Sequence, residues 1–95
     1  LLDIKISNKE NADYIFDVLN RLGKQMTEEG IFEGSFLKPI TARGIEELNG
    51  EGFTVRAAGE TSLQNQDEIL RAYRRLIKKE FDKLGVEIKL VLEIH

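Results

Sequence analysis

Across a single glycine, Gly85, the apolar residues of this chain change period. Upstream, Ile69, Tyr73, Leu76, Ile77, Phe81 and Leu84 recur every three or four residues, the spacing of one helix face. Downstream, Val86, Ile88, Leu90, Leu92 and Ile94 alternate with Glu87, Lys89, Val91 and Glu93, the two-residue period of a strand. Asn65 with Glu68 three residues on supplies a helix-start signal, so the spacing predicts a helix over about 66–84. Gly85 closes it, and a strand follows directly.

The same alternation of periods occurs earlier. Leu2, Ile4 and Ile6 alternate with Asp3, Lys5 and Ser7, which predicts a strand over 2–7. Ser7 and Glu10 read as a capping box, with Asn8 and Asn11 as rival caps, and Ala12, Ile15, Val18, Leu19, Leu22 and Met26 then follow helical spacing. This first helix is expected over about 10–29 and to stop at Gly30. Residues 31–39, "IFEGSFLKP", are too apolar for a free loop and are expected to pack on the rest of the chain. Pro39 suits the start of an edge strand. Ile40 and Ala42 keep strand phase, whereas Gly44-Ile45 breaks it, as a bulge would. Asn49-Gly50 is expected to supply the positive backbone angles of a tight hairpin turn, after which Phe53, Val55 and Ala57 alternate with Thr54, Arg56 and Ala58.

The order β-α-β-β-α-β is a split βαβ duplication. The economical arrangement is an α+β, ferredoxin-like βαββαβ two-layer sandwich: a four-stranded antiparallel sheet, order 4-1-3-2, with two helices on one face. The 95 residues form one domain, since so short a chain hides only about two thirds of its unfolded surface and builds one core.

Little in the sequence points to catalysis. With no cysteine, disulfides, thiolate metal sites and cysteine nucleophiles are excluded together. The only histidine, His95, lies at the chain end, where a catalytic geometry is hard to hold. Glu28-Glu29 and Glu46-Glu47 are adjacent carboxylates that diverge in direction on helix or strand, and no glycine-rich phosphate loop follows a strand. No catalytic residue, cofactor or metal ligand is expected. No apolar run approaches the roughly 18 residues needed to span a bilayer.

The net charge of −3 is unevenly spread. Residues 1–60 hold 11 acids and 7 bases, residues 61–95 hold 6 acids and 7 bases. Arg71, Arg74, Arg75, Lys78 and Lys79, with Lys83, make the polar face of the second helix. Such a stripe can neutralise phosphates. The plainer reading is a solvated helix face whose cations favour the negative end of the dipole and pair with Glu80 and Asp82. RNA-binding sheets of this architecture present stacking aromatics, and here strand three offers only Phe53, so nucleic acid is not the expected partner. Tyr14, Phe16, Tyr73 and Phe81 lie on helices and read mostly as core.

The element order, together with "QNQDEILRAYRRLIKKEFDKLGVEI", resembles the C-terminal cytoplasmic α/β domain of the small-conductance mechanosensitive ion channel family (MscS type). In that family a charged helix ends in a Phe-Asp-x-x-Gly-Ile-x-Ile pattern, and Phe81, Asp82, Gly85, Val86 and Ile88 occupy those positions. "GIEELNGEGFTVRA" resembles the family's upstream hairpin, so the likeness covers nearly the whole chain. The resemblance implies a non-catalytic homo-oligomer in which seven copies build a cytoplasmic cage below a tension-gated pore. It implies a cell-membrane protein anchored by segments outside this chain, and the start at Leu1-Leu2-Asp3, without an initiator methionine, agrees with a fragment of a longer protein. It further implies that the cations of the second helix face solution or a neighbouring subunit, and that the strand from Val86 pairs centrally in its sheet. A free-standing ferredoxin-like regulatory module that binds a small molecule is the alternative from a different functional class.

Overall fold

The computed structural model describes residues 2–7, 9–28, 36–62, 66–86 and 88–92, of which 37 and 88–92 are described by backbone alone. The elements are β1 (Leu2–Ser7), α1 (Ala12–Glu28), β2 (Phe36–Leu48), β3 (Gly52–Thr61), α2 (Gln66–Leu84) and β4 (Ile88–Leu92). The expected α+β class is what forms, and α2 has the predicted bounds.

Strands β1, β3 and β2 make antiparallel neighbours, with Ile4 opposite Val55 and Ala42 opposite Ala57. On its other side β1 takes the backbone of β4, Ile6 opposite Ile88, so the order is β2-β3-β1-β4. Central pairing of the last strand, implied by the resemblance, does not hold. β4 is an edge strand, and the inner positions belong to β1 and β3. Val86 is not part of it, because its N–H is used in capping α2.

Period-two alternation puts Leu2, Ile4 and Ile6 of β1 and Phe53, Val55 and Ala57 of β3 on one face, where they are buried. Onto that face pack Ile15, Val18, Leu19, Leu22 and Met26 of α1 and Ile69, Tyr73, Ile77 and Phe81 of α2, giving one continuous core. Burying a side chain of this size stabilises by roughly 1.5–3 kcal/mol each, before the entropy of ordering it is subtracted.

Three local expectations change. The cap of α1 is Asn11: its Oδ1 accepts the Tyr14 N–H at 3.0 Å and its carbonyl accepts the first helical bond from Ile15. Ser7 instead closes the turn before it, accepting from the N–H groups of Lys9 and Glu10. The hairpin turn uses no positive φ at Asn49 or Gly50. Asn49 Oδ1 accepts the N–H groups of Glu51 and Gly52, and this side-chain closure replaces the left-handed backbone. Leu84, assigned to the stripe of the second helix, and Tyr14, one of the helix aromatics read mostly as core, are exposed.

The expected bulge at Gly44 exists, as one of four register shifts along β2. The strand is held nonetheless. Asn20 of α1 accepts the Ala42 N–H at 2.7 Å, and a Cβ on Gly23 would run into the Ile40 carbonyl, so α1 lies on β2 at backbone distance. Gly30, residues 31–35, Asn65 and His95 lie outside the described residues.

Candidate functional site: the cationic flank and capped end of α2

Four of the five residues that carry the resemblance, Phe81, Asp82, Gly85 and Val86, come together as one helix cap. Val86 N–H donates to the Phe81 carbonyl at 2.9 Å and Gly85 N–H to the Asp82 carbonyl at 3.3 Å. Gly85 takes φ +74°, the left-handed conformation that glycine adopts without strain. This is the Schellman arrangement, and its customary apolar contact is made by Phe81 and Val86, both buried. Asp82 is exposed and accepts from Lys78 Nζ at 2.7 Å, one turn back. Ile88 begins β4 two residues past the cap. The pattern Phe-Asp-x-x-Gly-Val-x-Ile therefore stops a helix, buries its last aromatic and starts a strand.

The cations of α2 are placed where helical spacing predicts. Arg71, Arg75, Lys78 and Lys79 are exposed and Arg74 is half-buried. Lys78 has Asp82; Arg71, Arg74, Arg75 and Lys79 form no ion pair among the described residues. Their orientation follows from a contact on the other flank. Glu80 accepts from Arg21 of α1 at 2.8 Å, so its side of α2 faces α1. At about 100° per residue, Arg71, Arg75 and Lys78 lie roughly 140° to 180° round the helix from Glu80. They therefore face away from α1, on the side of the sheet that ends in β4. The hydrogen bond from Arg21 holds the Glu80 carboxyl below its usual range, against a smaller opposing effect of desolvation, and the charges of Arg21, Lys83 and Lys79 add to the lowering.

Other polar groups have structural partners. Burial pushes the Tyr73 phenol well above its ordinary value, and its hydroxyl donates to the Leu19 carbonyl at 3.0 Å, fastening α2 to α1. On the sheet face away from the helices, Arg56 forks onto Asp3, Nε to Oδ1 at 2.9 Å and Nη2 to Oδ2 at 3.1 Å, with Glu46 at 3.8 Å on its other side. Asp3 is buried there, opposite Arg56 in the β1–β3 register and opposite the backbone of residue 91 in the β1–β4 register. Periodicity alone gave no sign of this pair, because its members are 53 residues apart and meet only once the register is known. Glu47 is exposed beside Glu46.

Two chemistries can be weighed against this geometry. A cavity of about 40 Å³ lies between α2 and the sheet, walled by Leu2, Ile40, Ala57, Ile69 and Tyr73. It has room for a water or two but is far below the roughly 300 Å³ of a small-molecule site. Phe53, the aromatic weighed for base stacking, points into the core. The open sheet face instead carries exposed Lys5 and the half-buried Arg56 paired with Asp3. Among the described residues no three His, Cys, Asp or Glu side chains group as metal ligands would. What the site offers is a fixed array of positive charge. Comparison with protein-family models, with curated proteins and with solved structures finds no match for this chain.

Proposed function

We propose that this chain is a ferredoxin-like βαββαβ domain serving a mechanosensitive ion channel of the MscS type as a non-catalytic cytoplasmic part of its oligomeric cage. The resemblance in element order and in the 81–88 junction supports the reading. The observation that supports a surface role is the flank of α2 turned away from α1, where exposed Arg71 and Arg75 form no ion pair among the described residues. Cations held on a rigid helix act as a standing source of potential, and in a cage they bias which ions accumulate near the pore. No described helix is long and apolar enough to cross a membrane, so under this reading the anchor and pore come from segments outside this chain.

The test is the coding sequence upstream of the Leu1 codon. Several apolar spans of about 20 residues support the channel reading, and a soluble enzyme domain there overturns it. A free-standing ligand-binding module is the competing reading, and a thermal shift of the chain with amino acids or nucleotides would detect it.

A further inference from the structure

The hairpin between β2 and β3 turns on Asn49-Gly50, and its backbone makes no use of the missing side chain of the glycine. Gly50 does not take a positive φ, and a Cβ built on it would meet nothing within 4 Å. An ordinary residue would fit there. What glycine leaves is a backbone nitrogen with no side chain to shield it, directly after an asparagine whose amide carbon can close a ring onto that nitrogen.

The carbonyl of that amide is already held. Asn49 Oδ1 accepts the Glu51 N–H at 2.9 Å and the Gly52 N–H at 3.1 Å, while the Asn49 N–H donates to the Gly52 carbonyl at 2.9 Å. Two N–H groups aimed at one carbonyl oxygen stabilise the negative charge that collects on it when a nucleophile adds to the carbon. Here the nucleophile is the next peptide nitrogen of the same chain, so the reaction has no encounter to wait for. Leu48, Asn49, Gly50 and Glu51 are all exposed, which lets water and base reach the turn. The other asparagines lack this combination: Asn8, Asn11, Asn20 and Asn65 precede Lys9, Ala12, Arg21 and Gln66, each with a side chain beside the attacking nitrogen.

We propose that Asn49 is a site of spontaneous covalent modification, losing its amide through a cyclic imide formed with the Gly50 nitrogen. The step balances with water and base alone. A base takes the Gly50 N–H proton, the nitrogen bonds to Asn49 Cγ, and the carbonyl electron pair moves onto Oδ1. Its return expels the amide nitrogen, which takes up a proton and leaves as ammonia. Water then opens the imide at either carbonyl. Cleavage at Cγ leaves an ordinary aspartate, and cleavage at the main-chain carbonyl leaves an isoaspartyl link.

The two products differ in what the hairpin keeps. A side-chain carboxylate at position 49 accepts the same two N–H groups and, being charged, holds them more strongly. The isoaspartyl link puts an extra carbon into the main chain just past the Leu48–Phe53 pair and displaces the acceptor that the two N–H groups share. Either product adds a negative charge to a tip where Glu46, Glu47 and Glu51 are exposed. The surface charge of the domain thus changes with time and without an enzyme.

The test is prolonged incubation of the folded chain in mildly alkaline buffer, followed by peptide mapping by mass, with isoaspartate scored by an isoaspartyl-specific methyltransferase. Amide-to-acid exchange should collect in the peptide holding Asn49, with both products present and conversion at least about tenfold above that at any other asparagine. Gly50→Ala, which the open space and ordinary φ allow, should keep the cooperative melt and slow the conversion at least about tenfold. Asn49→Ser keeps an oxygen for the turn and should abolish ammonia release from it. Should Gly50→Ala lose its cooperative melt, Asn49→Ser and the wild-type time course decide together.

Conversion at Asn49 no faster than at the other asparagines overturns the proposal, as does a folded Gly50→Ala chain that converts like wild type. Aspartate without isoaspartate also overturns it, because direct hydrolysis of the amide passes through no imide. So does a site that reacts in urea and not in the folded chain, since the turn would then shield the amide. The channel reading is untouched by any of these outcomes.

Discussion

The two helices are close in length, 17 and 19 residues, and each buries one apolar stripe on the same sheet face, yet they are held by opposite means. α1 meets the sheet at its backbone. Gly23 leaves no room for a Cβ against the Ile40 carbonyl, and Asn20 reaches the Ala42 N–H beside it. α2 meets the sheet through bulk, with Tyr73 and Phe81 fully buried beneath it. One interface is intolerant of added atoms, the other of removed ones. The difference matters for function: α1 spends its surface covering an edge strand, while α2, propped on large side chains, keeps a charged flank open.

The largest effect should come from emptying the α2 interface. Phe81→Ala deletes a fully buried ring that also forms the apolar contact of the cap, and is expected to cost about 3–5 kcal/mol in urea unfolding. A loss below about 1 kcal/mol would mean that the helix end is not packed as described. Filling the α1 interface should come next. Gly23→Ala ought to gain about 1 kcal/mol from helix propensity alone, but the added carbon collides with backbone that cannot rotate aside. A net loss of about 1–3 kcal/mol is expected. A stabilised Gly23→Ala would break the comparison, since α1 would then have slack over β2.

Gly85→Ala probes the end of α2 without touching its face. Alanine at φ +74° should cost about 1–2 kcal/mol, read as a shift in the unfolding midpoint. A neutral outcome would show that the junction does not depend on the left-handed residue.

What the sequence made legible follows from how it encodes burial. The bounds of α2 and the inward set Leu2, Ile4, Ile6, Phe53, Val55 and Ala57 were readable because a regular period marks one buried face. β2 was not, because each of its four register shifts resets the phase, leaving no period to follow. Asn11 and Ser7 are chemically similar caps, and only the chain direction after β1 decides between them. Gly23 looks like any helical glycine until Ile40 is laid against it. At the candidate site, the five cations of α2 were readable from spacing. The flank shared by Arg71, Arg75 and Lys78 was not, because it is fixed by the contact of Glu80 with Arg21. The Phe81 to Ile88 pattern was readable as a family likeness, and the structure gives it a physical content that any helix-to-strand junction of this shape would need.

The smallest expected effect lies in the ion pair that joins the helices, and it is a matter of sign as much as size. Arg21 lowers the Glu80 pKa in the folded chain, so the folded state binds the Glu80 proton less readily than the unfolded state does. The pair's contribution is thus fully present above the ordinary carboxylate pKa of about 4.3 and is lost as pH falls through the lower folded value. Arg21→Ala should separate from wild type near neutral pH, and the two urea midpoints should converge as pH is taken from about 7 to about 3. Because the Arg21 side chain is more than half exposed, added salt should shrink the separation. A gap that persists unchanged into acid would mean that Arg21 acts through packing of its aliphatic stem. The orientation assigned to the opposite, cationic flank of α2 would then need an anchor other than this pair.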